Sequence, residues 1–223
     1  MTANAPAGQA PQDDRGLPLR ERKKLRTRRA LVDTALELFT DRGFDETAIE
    51  DLVDEVEISR RTFFRYFPSK EAVAVAAEAD LWDAYIAEFS RTDPQGPVVE
   101  ALRAALTAAI LGMDSGWDDR IVRTRMLISH VPVPLRDAST LLSINAQERL
   151  VAALETKLGI DGREDVRLRL LGEFAFGAYR CGAKNWAAGR GAGGGRGKWS
   201  RAILARRVEE AFDALPGALA MTV

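Results

Sequence analysis

Residues 47–70 read TAIEDLVDEVEISRRTFFRYFPSK, and this stretch decides the fold. Ile49, Leu52, Val53 and Val56 recur at three- and four-residue spacing, the buried stripe of a short helix. Thr47 stands just before that stripe and Glu50 follows three residues later, so Thr47 is read as the N-cap of a capping box. Ser59, after Ile58, is read as the cap of a further short helix over Arg60–Tyr66. Phe63 and Phe67 are four apart and share one face, which assigns them to the core rather than to base stacking. Pro68 ends this helix, and Ser69 caps the next one. Two short helices joined by about four residues make a helix-turn-helix pattern.

Upstream, Leu25, Ala30, Leu31, Ala35, Leu38 and Phe39 lie along one stripe, which predicts a helix over Leu19–Arg42. Gly43 is placed to close it with a left-handed residue. The start of this helix is strongly basic, with Arg20, Arg22, Lys23, Lys24, Arg26, Arg28 and Arg29 against a single acid, Glu21. Such a cluster is a phosphate contact or a minor-groove arm, with a solvated helix face as the alternative. Residues 1–18 are Pro, Gly, Ala, Gln and Asp without periodicity and read as a flexible tail.

Between Ser59 and Lys70 stand four basic residues, Arg60, Arg61, Arg65 and Lys70, and no acid. A helix that enters a DNA groove lined by phosphates must carry this sign of charge. Arg60 and Arg61 fall in the first helical turn, from which base edges are read in the major groove. Thr47, Ser59 and Thr62 are candidate hydroxyl donors to the DNA backbone, with Arg26, Arg65, Tyr66 and Lys70 as positioning contacts. Residues 1–70 carry 13 basic and 13 acidic groups, so local clustering rather than total charge must steer DNA.

The same stretch resembles the DNA-binding signature of TetR-family repressors, through Thr47, Ile58-Ser59, Thr62, Tyr66-Phe67 and Lys70. The resemblance spans about Arg22–Val75, a third of the chain. Three positions depart from the pattern, the first being Val56, where the family has a small residue just before the turn. The turn position that the family fills with Gly is Glu57, which predicts a slightly different turn, because a left-handed Glu costs about 1 kcal/mol. The family's phosphate-binding tyrosine is replaced by Phe64.

Downstream, helical patterning runs over Lys70–Arg91, Val98–Met113, Trp117–Val131, Leu135–Leu158, Arg163–Ala188 and Lys198–Leu215, with no persuasive strand and no internal repeat. Six glycines between Gly189 and Gly197 read as a loop. The fold expected is all-α with about nine helices: a DNA-binding head over 19–68 and a second helical domain over 69–223. The resemblance implies that this second part holds a ligand pocket and a homodimer interface built from its last two helices. Phe174, Ala178, Tyr179, Val208 and Phe212 are the candidate dimer residues, with intrachain core as the equal alternative. Trp82, Tyr85, Phe89, Met113, Trp117, Met126, His130 and Phe174 are large and distributed over the helices that would line a pocket, although each also suits plain core. The stretch RTRMLISHVPVPLRDA, Arg123–Ala138, resembles an actinobacterial branch of the family with an acyl-CoA-like ligand domain. That resemblance implies a partly apolar ligand whose anionic head meets Arg120, Arg123 or Arg125.

Composition removes several other classes. The chain has 223 residues, 46% apolar and 29% charged, with a formal charge of −1, so a wholly disordered chain is excluded. One cysteine, Cys181, and one histidine, His130, leave no intrachain disulfide framework and no Cys- or His-based metal site. No cofactor motif is read, and no apolar run is long enough for a membrane span, which points to the cytoplasm. The expected function is a DNA-binding regulator, a repressor released from a palindromic operator by a small apolar or acyl-CoA-like molecule. A ligand-independent regulator is the alternative, marked by a filled second domain. An acyl- or thioester-processing enzyme is a remoter one, since no local motif joins Cys181 to His130.

Overall fold

The computed structural model describes residues 16, 18–93, 95–130, 133–189 and 199–222, without the side chain of His130. The tail expected over 1–18 and the glycine loop expected over 189–197 thus lie almost wholly outside the described residues. Those residues form eleven helices and no strand. In chain order they are α1 Leu19–Asp41, α2 Ile49–Glu55, α3 Arg60–Tyr66, α4 Lys70–Ala74, α5 Ala76–Arg91 and α6 Val98–Gly112. There follow α7 Trp117–His130, α8 Val133–Leu158, α9 Val166–Ala187, α10 Arg201–Asp213 and α11 Leu215–Leu219.

The helix expected over Lys70–Arg91 is divided at Val75. Glu78 N–H bonds to Val75 O, three residues back, so the Ala74 carbonyl has no helical partner. Thr124 Oγ1 of α7 donates to it at 2.9 Å, which satisfies a buried acceptor that would otherwise cost about 1–3 kcal/mol. Pro134 and Pro216 stand in the first turns of α8 and α11, where a missing N–H costs nothing. Asp165 starts α9 by accepting from Arg167 N at 3.0 Å.

Two apolar cores form. The first joins Leu31, Leu36 and Phe39 of α1 to Leu52 of α2, Phe63 of α3 and Val73 of α4, and it includes Leu127 of α7 and Leu135 of α8. Phe63 is fully buried and Phe67 nearly so, as their spacing predicted. The second core packs α5, α6, α8, α9 and α10 around Trp82, Tyr85, Phe89 and Phe176. The Trp82 ring lies 4.5 Å from Phe176 and 4.6 Å from Tyr179, centroid to centroid.

Helices α9 and α10 pack against each other within one chain. A Cβ on Gly182 would stand 2.8 Å from the backbone of Arg207 and Val208, so only glycine permits this approach. Gly182→Ala is therefore expected to destabilise the body by about 1–3 kcal/mol, read as a fall in the thermal midpoint of about 2–4 °C per kcal/mol. An unchanged midpoint would mean that the two helices part without cost. The close pairing also corrects the dimer expectation. Tyr179, Val208, Ala178 and Phe212 are all buried inside their own chain, because the apolar stripes of α9 and α10 face each other and the second core. Phe174 alone of that set is half-exposed.

Candidate functional site

Helix α3 presents Arg60, Arg61, Phe64 and Arg65 to solvent, while Phe63 anchors its opposite side in the head core. Ser59 caps the helix by accepting from Thr62 N at 3.1 Å, and the two hydroxyls lie 2.9 Å apart. The exposed face is thus fixed by a buried ring and a cap, and it carries three arginines. Arg60 is not idle: it pairs with Glu50 of α2 and lies over the Phe64 ring at 5.6 Å. Arg65 lies over Tyr66 at 5.3 Å. Arg61 is exposed and has no ion-pair partner among the described residues.

Two expectations about this face are corrected. Thr47 is fully buried and caps nothing; the N-cap of α2 is Ala48. Its hydroxyl donates to Gly43 O at 2.8 Å, and Asp51, not Glu50, accepts from Ala48 N at 2.7 Å. A hydroxyl so placed pins the loop after α1 and does not reach a phosphate. Lys70 is likewise committed inward. Its Nζ donates to Phe44 O at 2.6 Å and Thr47 O at 3.0 Å, and it lies 4.3 Å from the Phe44 ring centroid. Three donors on a lysine suit this pinning of two carbonyls, and the charge sits behind the DNA face rather than on it.

Glu57 keeps the turn that glycine usually supplies. Its φ is +53°, the single positive value at a non-glycine among the described residues, so the expectation of a different turn is corrected. Removing the Cβ relieves about 1–2 kcal/mol, offset by roughly 0.5–1 kcal/mol of extra chain entropy in the unfolded state. Glu57→Gly should therefore stabilise the head by about 0.5 kcal/mol in a denaturant titration, whereas Glu57→Ala should not. Equal effects from both variants would place the cost in the Glu side chain's charge and not in the turn.

The basic cluster of α1 divides into three directions. Arg20, Lys23 and Lys24 line a groove with Arg65 and Tyr66 of α3. Arg22, Arg26 and Arg29 line another with Asp33 and Arg120. Arg28 turns inward, pairs with Asp80 of α5 at 2.7 Å and lies 5.3 Å from the Phe67 ring. Burial raises the Asp80 carboxyl above its ordinary range and Arg28 opposes that shift. Arg28 is thus a clamp between head and body. Arg120 is a second one, bonded to Asp33 of α1 at 2.7 Å and to Asp114 at 3.1 Å, which removes it from the set of ligand-binding arginines.

The body holds a cleft of about 820 Å³ between α5, α7, α8 and α9. Glu78 of α5 lies at its base, 3% exposed, and receives Arg125 Nη1 at 2.9 Å and Ser139 Oγ at 2.6 Å. Trp82 and Tyr179 form its inner wall; Arg136, Arg180 and Lys184 line it as well. The indole N–H of Trp82 and the hydroxyl of Tyr179 are buried without a hydrogen-bond partner among the described residues. Burial keeps the Tyr179 phenol well above its ordinary pKa, with Glu78 adding to the shift and Arg125 opposing it, so it remains a donor.

Of the expected pocket residues, Trp82 alone lines this cleft. Tyr85, Phe89 and Trp117 are buried core, and the Trp117 indole donates to Ala77 O at 2.9 Å. Met126 is 54% exposed, Met113 ends α6, and Phe174 borders an apolar groove on the outside of α9. The side chain of His130 lies outside the described residues. Large apolar residues are the usual sequence marker of a pocket, whereas this cleft is marked by polar ones. A signal for it stands in the sequence: Glu78 interrupts the apolar run Ala72–Ala77 on a helix, and an acid in such a run is buried with a partner or exposed by a break.

Comparison with known proteins places this geometry. The family model of bacterial regulatory proteins of the tetR family matches residues 31–77, which hold the α2–α3 pair. The HTH-type transcriptional regulator TcmR of Streptomyces glaucescens is 32% identical over 161 residues, covering 70% of this chain and 71% of the relative. RutR of Escherichia coli, another HTH-type transcriptional regulator, is 31% identical over 83 residues, 35% of this chain and 39% of the relative. Among solved structures, FadR of Thermus thermophilus, a TetR-family transcriptional repressor in complex with lauroyl-CoA, superposes with a TM-score of 0.52 at 25% identity. That match covers 88% of this chain and 96% of the other.

Proposed function

Because the chain belongs to the TetR family of bacterial transcriptional regulators, we propose that it is a ligand-responsive repressor acting as a homodimer on a palindromic operator. The observation that carries the DNA-reading role is the exposed face of α3, with Arg61 unpaired among the described residues and Arg60 and Arg65 beside it, held by Phe63 and the Ser59 cap. Arg20, Lys23, Lys24 and Tyr66 supply backbone contacts from the adjoining groove. The dimer surface is the outer face of α9 to α11. Phe174, Gly177, Cys181, Ala211 and Leu215 line an apolar groove of about 390 Å³ there, and Leu170 on the same helix is 44% exposed. Two copies joined on this face place two recognition helices on successive major grooves, about 34–36 Å apart.

The inducer enters the cleft between α5, α7, α8 and α9 and is a small, partly apolar molecule with an anionic head, the class to which acyl-CoA belongs. The lauroyl-CoA complex of the Thermus repressor and the basic residues around this cleft support that reading. The head shares its core with Leu127 of α7 and Leu135 of α8, and Arg28 joins α1 to α5. A ligand that prefers another spacing of α5, α7 and α8 therefore shifts the head and its half-site register. No helix among the described residues is long and apolar enough to cross a membrane.

The test is fluorescence anisotropy of DNA taken from upstream of the protein's own gene, against scrambled DNA, at two salt concentrations, with and without lauroyl-CoA. Selective, salt-sensitive binding is the expected result, and its reversal by lauroyl-CoA would make the inducer an acyl-CoA. Equal binding to scrambled DNA would remove the operator-reading role, and selective binding that no small molecule reverses would favour the ligand-independent alternative.

A further inference from the structure

The cleft in the body differs from an acyl-chain site in two respects. Its inner wall is closed: Trp82, Phe176, Tyr179 and Tyr85 are each at most 3% exposed and their rings are in contact. A twelve-carbon chain would have to displace these rings from a core packed at solid density. The wall is also wet in chemistry though dry in structure. Trp82 Nε1 and Tyr179 Oη are buried donors with no acceptor among the described residues, and an unmet buried donor is costly enough to need a reason. Both line the same cleft as Arg136, Arg180 and Lys184, none of which has an ion-pair partner among the described residues.

Charges on the lining sum in one direction. Glu78 is neutralised by Arg125, and Glu173, which accepts from Gln147 at 2.9 Å, offsets one of the other three cations, so the lining keeps two positive charges in excess. Ile128 and Ile144 supply apolar flanks across from the aromatic wall. Flat apolar sides, two inward donors and a cationic rim suit a flat ring that carries acceptor oxygens and a negative charge.

Resting on the reading of this cleft as the inducer site, we propose that it takes a compact, oxygen-bearing aromatic anion. Trp82 Nε1 and Tyr179 Oη donate to the ligand's oxygens, and Arg180 and Lys184 hold its charge. The ring lies against Trp82 and between Ile128 and Ile144. Specificity arises because a ligand without acceptors leaves the two buried donors unmet, as they are in the free protein. Tyr179 thereby acts as a ligand-reading residue and contributes nothing as a donor to the fold of the free chain.

The experiment uses the full chain in isothermal titration calorimetry, with 1-hydroxy-2-naphthoate as the anionic probe, 1-naphthol as its uncharged counterpart and lauroyl-CoA as the long-chain competitor. The expected result is one naphthoate per chain, with 1-naphthol at least about tenfold weaker. Tyr179→Phe should weaken the naphthoate about fivefold and leave the thermal midpoint of the free protein unchanged or higher, since it deletes an unmet polar group. Arg180→Gln/Lys184→Gln, at two exposed positions, should weaken it about tenfold while 1-naphthol is unaffected.

Absence of naphthoate binding up to about 5 mM, equal binding of 1-naphthol, or indifference to both variants overturns the proposal. Tighter binding of lauroyl-CoA than of naphthoate also overturns it, and in that case the cleft remains the inducer site with an acyl ligand. If no tested molecule binds the chain or releases its operator DNA, the inducer reading itself fails.

Discussion

Arg61→Ala is expected to cost operator binding about 1–3 kcal/mol at each half-site, hence about 2–6 kcal/mol and roughly 30-fold to 10⁴-fold for a dimer. The argument starts from what surrounds the residue. Arg61 is in the first turn of α3, is exposed, and has no ion pair to exchange for a base contact. Its fork is therefore free to take the O6 and N7 of a guanine at no cost within the protein. Arg60 next to it is held by Glu50 and Phe64, and breaking those contacts offsets whatever it gains on DNA. Arg60→Ala should for that reason cost less than Arg61→Ala. Binding to scrambled DNA should change little in the Arg61 variant, whereas replacing Lys23 or Lys24 should weaken all sequences alike and reduce the salt slope by about one. Operator affinity unchanged by Arg61→Ala would take this residue out of base reading and leave the face to phosphate contacts alone.

What the sequence made legible was the local part of the fold. The caps at Ser59 and Ser69, the stripe of α1 and the burial of Phe63 depend on neighbours within a few residues, and periodicity reports those directly. Thr47 and Lys70 were misread for the same reason. Each has the right residue type beside a helix start, but each side chain is claimed by a carbonyl that another segment brings close: Gly43 and Phe44 lie in the loop after α1. Glu57 shows the reverse case, in which the tertiary turn imposes a positive φ against the residue's own preference. The apolar stripes of α9 and α10 were visible, yet a stripe does not say whether its mate lies in the same chain. Gly182 decides that here, because it lets Arg207 and Val208 approach so closely that the stripes are consumed within one protomer. The cleft was least legible, since its members come from four helices and their meeting is a property of packing alone.

The second large effect is expected at that meeting point. Arg125→Ala should destabilise the folded chain by about 3–5 kcal/mol in a urea titration, and its loss should be felt in the head as well as in the body. Glu78 is 3% exposed, and without Arg125 its carboxylate would keep Ser139 as its one hydrogen-bond donor among the described residues. Uncompensated burial of one charge is the costly state; absence of both charges is not. The double variant Glu78→Met/Arg125→Met should therefore recover most of the loss, which separates the charge effect from lost packing. Glu78 follows the break at Val75 by three residues, and Thr124, next to Arg125, holds the Ala74 carbonyl freed by that break. The pair thus ties α7 to the joint where the head meets the body. A ligand anion that competes for Arg125 would loosen the same joint, so the double variant should also bind operator with altered affinity and a blunted response to inducer. A loss below about 1 kcal/mol for Arg125→Ala would mean that water reaches Glu78, and the pair would then be an ordinary exposed ion pair with no hold on the joint.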